Sequence, residues 1–136
     1  MALEGVAGAW RLKTAHFEMA DTGEITDMFG SDPQGWLLIS DSGRVAVLIT
    51  TSDRQEAEAP ETLFRTMMSY TAAVTTPEPG TLVFTVDAAW HPSWVGTRQV
   101  RHYEVEGDVL KIRSGKHTHP RHGDRLLYGV VEWMRA

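Results

Sequence analysis

Turn signals recur along this 136-residue chain at intervals too short for ordinary helices. They are Asp21-Thr22-Gly23, Ser31-Asp32-Pro33-Gln34-Gly35, Asp41-Ser42-Gly43, Pro77-Glu78-Pro79-Gly80, Glu106-Gly107-Asp108 and His119-Pro120-Arg121-His122-Gly123-Asp124. Gly supplies positive φ there, Pro presets φ, and Asp closes local turns. The stretches between them are rich in Val, Ile, Leu, Thr and aromatics, the composition of strands. Strands are expected near 8–18, 24–29, 35–41, 44–51, 70–76, 81–90, 97–105, 109–113 and 126–134. One segment departs. Leu63, Phe64, Met67 and Met68 follow Pro60 at helical spacing and predict one short helix, behind a polar loop at 51–58. This pattern predicts a closed antiparallel up-and-down β-barrel of about eight strands. Closure leaves no sheet edge open to other chains. No repeat or linker divides the chain, so residues 1–136 are expected to be one domain.

Charge and composition narrow the function. Thirteen Lys+Arg against eighteen Asp+Glu give 13 − 18 = −5, which argues against nucleic acid as a partner. Cysteine is absent, which removes thiol chemistry and thiolate metal sites. The start, MALEGVAGAWRLK, has neither a basic leader nor a long apolar run. No stretch reaches the roughly 20 apolar residues of a membrane helix. A cytoplasmic protein without membrane association is therefore expected. There is no phosphate-cradling glycine loop, dinucleotide fingerprint, nucleophile elbow or His-Glu-x-x-His, so no cofactor is expected. Oligomeric state is open, with a homodimer one possibility.

With those strands placed, the chain resembles the bacterial and fungal lipocalin-like domain family, a set of small calycin-type barrels. The resemblance rests on Gly8-Ala9-Trp10-Arg11-Leu12, Met28-Phe29-Gly30, Pro33-Gln34-Gly35-Trp36-Leu37 and Asp41-Ser42-Gly43-Arg44. It is strongest from His91-Pro92-Ser93-Trp94-Val95-Gly96-Thr97-Arg98-Gln99-Val100-Arg101 to Leu110, and it continues at Val131, Glu132 and Trp133. It implies a barrel holding a small apolar or amphipathic molecule. Related small barrels include carriers and also enzymes that cyclise, isomerise or rearrange natural-product intermediates. This chain departs from the family pattern at Phe84-Thr85 and Ile39, where family members carry polar groups, His or Tyr.

Candidate site residues follow from strand parity. Gln99, Arg101 and Tyr103 share one face of a strand, polar for a wall that points into a barrel. A guanidinium keeps its proton, so if it is buried it needs a partner. That partner is either a ligand anion or an internal acid such as Glu18 or Glu132; with reversed parity, Arg101 would instead face solvent. Tyr103 is a candidate donor to a developing oxyanion, or else a core tyrosine. His16 shares the alternation of Trp10, Leu12 and Thr14, which makes it a candidate base, or else a rim residue. Arg101, Tyr103 and His16 are the expected catalytic set for a cofactor-free isomerase, cyclase or lyase. The alternatives are a carrier or sensor of the same hydrophobic or aromatic ligand, and a structural or interaction domain whose barrel is filled and holds no ligand.

Gln99, Trp10, Trp36, Trp94, Phe84, Met67, Tyr70 and His91 are the expected ligand contacts. Five tryptophans in so short a chain supply ample stacking surface. Trp10 can equally plug the closed end. Met67 and Tyr70 are expected on the helix, with methionine adapting to an irregular guest. His117, His119 and His122 have a spacing some metal sites use, but they fall in a Pro/Gly loop with basic neighbours. A solvated loop and no metal is the expectation.

Overall fold

A computed structural model describes residues 3–136, the side chain of Pro120 excepted. Nine strands run β1 (Gly8–Met19), β2 (Ile25–Asp27), β3 (Gln34–Ile39), β4 (Arg44–Thr50), β5 (Met67–Thr75), β6 (Thr81–Ala89), β7 (Arg98–Glu106), β8 (Val109–Ser114) and β9 (Leu127–Arg135). One helix, α1 (Pro60–Arg65), precedes β5. Consecutive strands from β3 to β9 pair antiparallel, and β9 returns to β1 over nearly its full length. The first half of β1 pairs with β3, and its second half pairs with β2. The ring therefore closes on eight strands, with β2 as a short annex beside β1. This is the architecture the turn spacing predicts.

Close strand approach constrains one turn-flanking residue sharply. A Cβ at Gly35 would lie 2.5 Å from the Leu48 carbonyl oxygen across the β3–β4 ladder. Only glycine fits there. Gly43, with φ of 88°, closes the β3–β4 hairpin in a backbone region that side chains avoid.

Two bulges change which side chains face inward. The β1–β9 register shifts between Leu12 and Thr14. Trp10 and Leu12 are buried, and beyond the shift so are Ala15, Phe17 and Met19. One extra residue reverses parity. Thr14, His16 and Glu18 are thereby turned to the outer face. A second shift in the β5–β6 pairing leaves Asp87 without an opposite number. Ala89, not Ala88, then packs against the core.

The helix is shorter than its apolar spacing predicts. Met67 already pairs with Thr50, and Met68 with Ile49. The period-2 series Met68, Tyr70, Ala72 and Val74 aligns with inward residues of β4, and ladder pairing overrides a weak helical stripe. The 51–58 loop is tied back. Arg54 donates to Thr66 Oγ1 at 3.1 Å and to the Leu63 carbonyl at 2.8 Å.

One end of the barrel is solid. Trp10, Ile39, Val45, Val74, Leu82 and Leu110 fill it, and Leu3 and Val6 cap it from the N-terminal turn. The Trp10 indole is fully buried and donates to the Val6 carbonyl at 2.8 Å. The polar tip of the ring is thus satisfied without water.

Candidate functional site

The other end is hollow, with a cavity of about 460 Å³. That volume lies within the range of small-molecule pockets. Its walls come from inward side chains of several strands, among them Leu37, Val47, Ile49, Met68, Phe84, Ile112 and Trp133. Trp90 and Trp94 stand beside the mouth in edge-to-face contact, with ring centroids 4.9 Å apart. Trp94 also packs on Tyr70 at 5.5 Å, and Tyr70 on Phe84 at 6.3 Å. The interior is therefore mostly hydrocarbon and aromatic surface, with a few polar groups set into it.

Those polar groups converge on β7. No bulge interrupts the β6–β7 ladder, so Gln99 and Arg101 keep the inward parity their alternation implies. The Arg101 guanidinium donates to Gln99 Oε1 at 2.9 Å and to the Val100 carbonyl at 3.0 Å. Both acceptors are neutral. Among the described residues, no carboxylate lies within 4 Å of Arg101; Arg44 pairs with Asp87, and Arg125 with Asp21 and Glu24, at the surface. Glu132 instead accepts a hydrogen bond from Thr14 at 2.9 Å, and Glu18 sits on the outer half of β1. Burial pushes the Arg101 pKa down, yet a guanidinium stays charged at neutral pH. A cation with unused donors thus faces an apolar chamber.

Tyr70 stands beside it. Burial raises its phenol to about 12, and the positive charge of Arg101 offsets only part of that rise. Tyr70 lines the cavity, and its hydroxyl makes no hydrogen bond to the described residues. The phenol is consequently a protonated, unspent donor. Its folded-state value lies above the ordinary value of about 10. The favourable contribution is therefore complete below about pH 10 and is lost as pH rises to about 12. In chemical denaturation, the parent should lose about 2–3 kcal/mol across that window relative to Tyr70→Phe. Parallel curves for the two proteins would refute the assignment.

Several expected contacts lie elsewhere. His16 pairs with Asp27 and Val130 on the outer face and does not reach the chamber, because the β1 bulge reverses its parity. Tyr103 faces inward but lies one step past Arg101 toward the solid end, where it packs on the core instead of lining the cavity. Trp10 is plug, not wall. Trp36 is 45% exposed on the outside of β3, with the Arg11 guanidinium 5.9 Å from its ring. His91 is exposed at the mouth, accepts from Ser93 Oγ or donates to it at 2.8 Å, and packs on Phe64 at 5.7 Å. Phe84, Met67, Tyr70 and Trp94 all line the cavity, but Met67 and Tyr70 do so from β5 and not from the helix.

Other lining residues carry no signal in local sequence. Met28 and Phe29 follow β2, and Phe17 enters through the shifted half of β1. The histidine loop also folds over the mouth. His119 packs on Phe17 at 4.8 Å, and His122 meets Phe17 edge-on at 5.7 Å. Arg121 donates to the Asp27 carbonyl at 2.9 Å and to the Met28 carbonyl at 3.3 Å. Most of the loop is solvent-exposed, as its composition predicts, but His119, Arg121 and His122 make these contacts as well. The three imidazoles engage different neighbours: His122 meets Thr26 at 3.2 Å, and His117 meets the Gly115 carbonyl at 3.1 Å. Among the described residues no group of three metal-ligating side chains forms.

The family model described as a lipocalin-like domain matches residues 7–136. The chain belongs to the lipocalin-like domain family. Among solved structures, this lipocalin-like domain is similar to an asparagine-to-alanine mutant of the fluorescent protein UnaG. That match has 16% identity and a TM-score of 0.46, covering 98% of each chain. No curated protein sequence matches the lipocalin-like domain. No helix among its described residues is long and apolar enough to cross a membrane.

Proposed function

We propose that this lipocalin-like domain binds a hydrophobic or aromatic small molecule bearing an acidic group, with the acid held by Arg101, Gln99 and Tyr70. The observation that carries this reading is the Arg101 guanidinium, set in an apolar chamber with no carboxylate partner. A carboxylate or phenolate guest supplies the missing charge, and it can accept from Arg101 and Tyr70 together. Trp90, Trp94 and Phe84 offer the faces for a planar body.

A second reading is a cofactor-free isomerase, cyclase or lyase. Tyr70 favours it. A protonated phenol beside a fixed cation is suited to stabilising an enolate or phenolate as it forms, and confinement in the chamber lowers the entropic barrier. His16 and Tyr103 have no part in it, since neither borders the cavity. A base would have to come from the mouth, where His117 and His119 stand, or from the substrate itself.

Both readings meet one experiment. Tryptophan emission is titrated with aromatic and long-chain carboxylic acids and with their methyl esters, and the recovered ligand is then analysed by mass spectrometry and chromatography. Saturable quenching by acids but not esters is the expected result, and equal binding of esters contradicts the anion site. An unchanged guest marks a carrier, whereas an isomer or fragment formed only with protein marks an enzyme.

A further inference from the structure

The cavity is charged in one sense only. The chain carries more acids than bases, yet Arg65, Arg101, Arg121, His117 and His119 line the cavity, and among the described residues no Asp or Glu does. The ion-paired arginines, Arg44 and Arg125, both lie on the outer surface. One anion at Arg101 leaves the mouth cations unanswered, because Arg101 is set into the wall while the histidine loop folds over the opening.

The mouth cations are also held in place. Arg121 stacks over Phe17, its guanidinium carbon 5.6 Å from the ring centroid, and the His119 ring lies on the same phenylalanine. Two bonds to backbone carbonyls fix the Arg121 fork, and three of its five N–H groups remain unspent. Among the described residues no carboxylate lies within 4 Å of it. His119 is held below the usual imidazole range by burial first, then by the charges of Arg121, His117 and His122. Arg121 thus offers a positive charge with no counter-charge, and the neutral His119 ring accepts the Arg121 backbone N–H at Nδ1 and keeps its Nε2–H to donate, an arrangement that favours a bound anion.

We propose that the guest carries two acidic groups on an apolar body, one met by Arg101 with Gln99 and Tyr70, and the other met at the mouth by Arg121 with His119. The inference rests on the anion-binding reading above and extends it to a diacid. The apolar walls between the two cationic centres take the body of the molecule. A guest held at both ends leaves more slowly, so the second acid sets residence time as well as affinity.

The test compares matched pairs: linear α,ω-diacids of about 8 to 16 carbons against the monoacids of equal length, and aromatic diacids against aromatic monoacids. Affinities are read by calorimetry and tryptophan quenching. In the parent, the best diacid should bind at least about tenfold tighter than its monoacid. Arg121→Gln should abolish that preference and leave monoacid affinity unchanged. Arg121→Lys, which keeps the charge but loses the two-carbonyl anchor, should retain most of the preference. Equal affinity for diacid and monoacid overturns the inference while leaving the anion-binding reading intact. So does an Arg121→Gln protein that loses both ligands together, because that marks a loop anchor and not a binding group. Failure of every acid to bind the parent overturns both.

Discussion

Replacing Arg101 by Met is expected to raise the stability of the empty barrel while lowering its affinity for an acidic guest by roughly a hundredfold. The two effects have one cause. In the empty protein the guanidinium is largely withdrawn from water, and its partners are a side-chain amide and a peptide carbonyl, neither of which carries charge. Withdrawing a cation from water costs several kcal/mol before compensation, and an apolar residue of similar length avoids that cost. A gain of about 1–2 kcal/mol is expected, read as a higher denaturation midpoint with an unchanged denaturant slope. The guest loses its charged partner in the same substitution. Removing one member of a buried, hydrogen-bonded charge pair costs about 3 kcal/mol, which is about a hundredfold in affinity. A variant that is less stable than the parent, or one that binds acids equally well, sinks the account of Arg101 as a binding group kept at the expense of stability.

The second large effect is at the opposite end. Trp10→Ala should destabilise the fold by about 3–5 kcal/mol. The indole is 0% exposed, its N–H is spent on the Val6 carbonyl, and the Arg135 guanidinium lies 4.2 Å from its ring centroid. Truncation leaves a large void at the plug and strands a buried carbonyl. Because Trp10 does not border the chamber, the fraction still folded should bind acids with parent affinity. Denaturant unfolding and a binding titration on the same sample separate the two quantities. A folded variant with weakened binding would place Trp10 in the ligand site after all. A loss below about 1 kcal/mol would mean that the solid end carries little of the stability.

These two residues mark how far the sequence could be read. The eight-stranded ring was legible because turn chemistry is local: Gly, Pro and Asp act on their own backbone, and period-2 patterning needs only neighbours. The inward face of Gln99 and Arg101 was legible for the same reason, since nothing interrupts β7 between them. His16 was not. Its face depends on one residue inserted near Lys13, and a bulge reflects how β1 meets β9, a partner more than a hundred residues away. Tyr103 kept its parity but not its depth. How far along the barrel the void ends is set by which side chains fill the base, and alternation carries no information on that.

The methionines tell a similar story. Leu63, Phe64, Met67 and Met68 satisfy helical spacing on paper, but Met67 and Met68 are claimed by β4. The histidine loop was unreadable in a different way. Its polar composition suits solvent, and most of it is exposed, but its contacts with Phe17, Thr26 and Met28 arise only because the folded barrel brings those residues beneath it.

By itself, then, the order of residues specified strand count, closure and a polar stripe on β7, since each follows from interactions within a few positions along the backbone. Tertiary structure alone decided where the barrel is solid, which face of the second half of β1 looks inward, and that the charged groups around the void are, among the described residues, cations. Those properties belong to packing between distant segments, and a single inserted residue or a filled base redirects them without altering any local pattern.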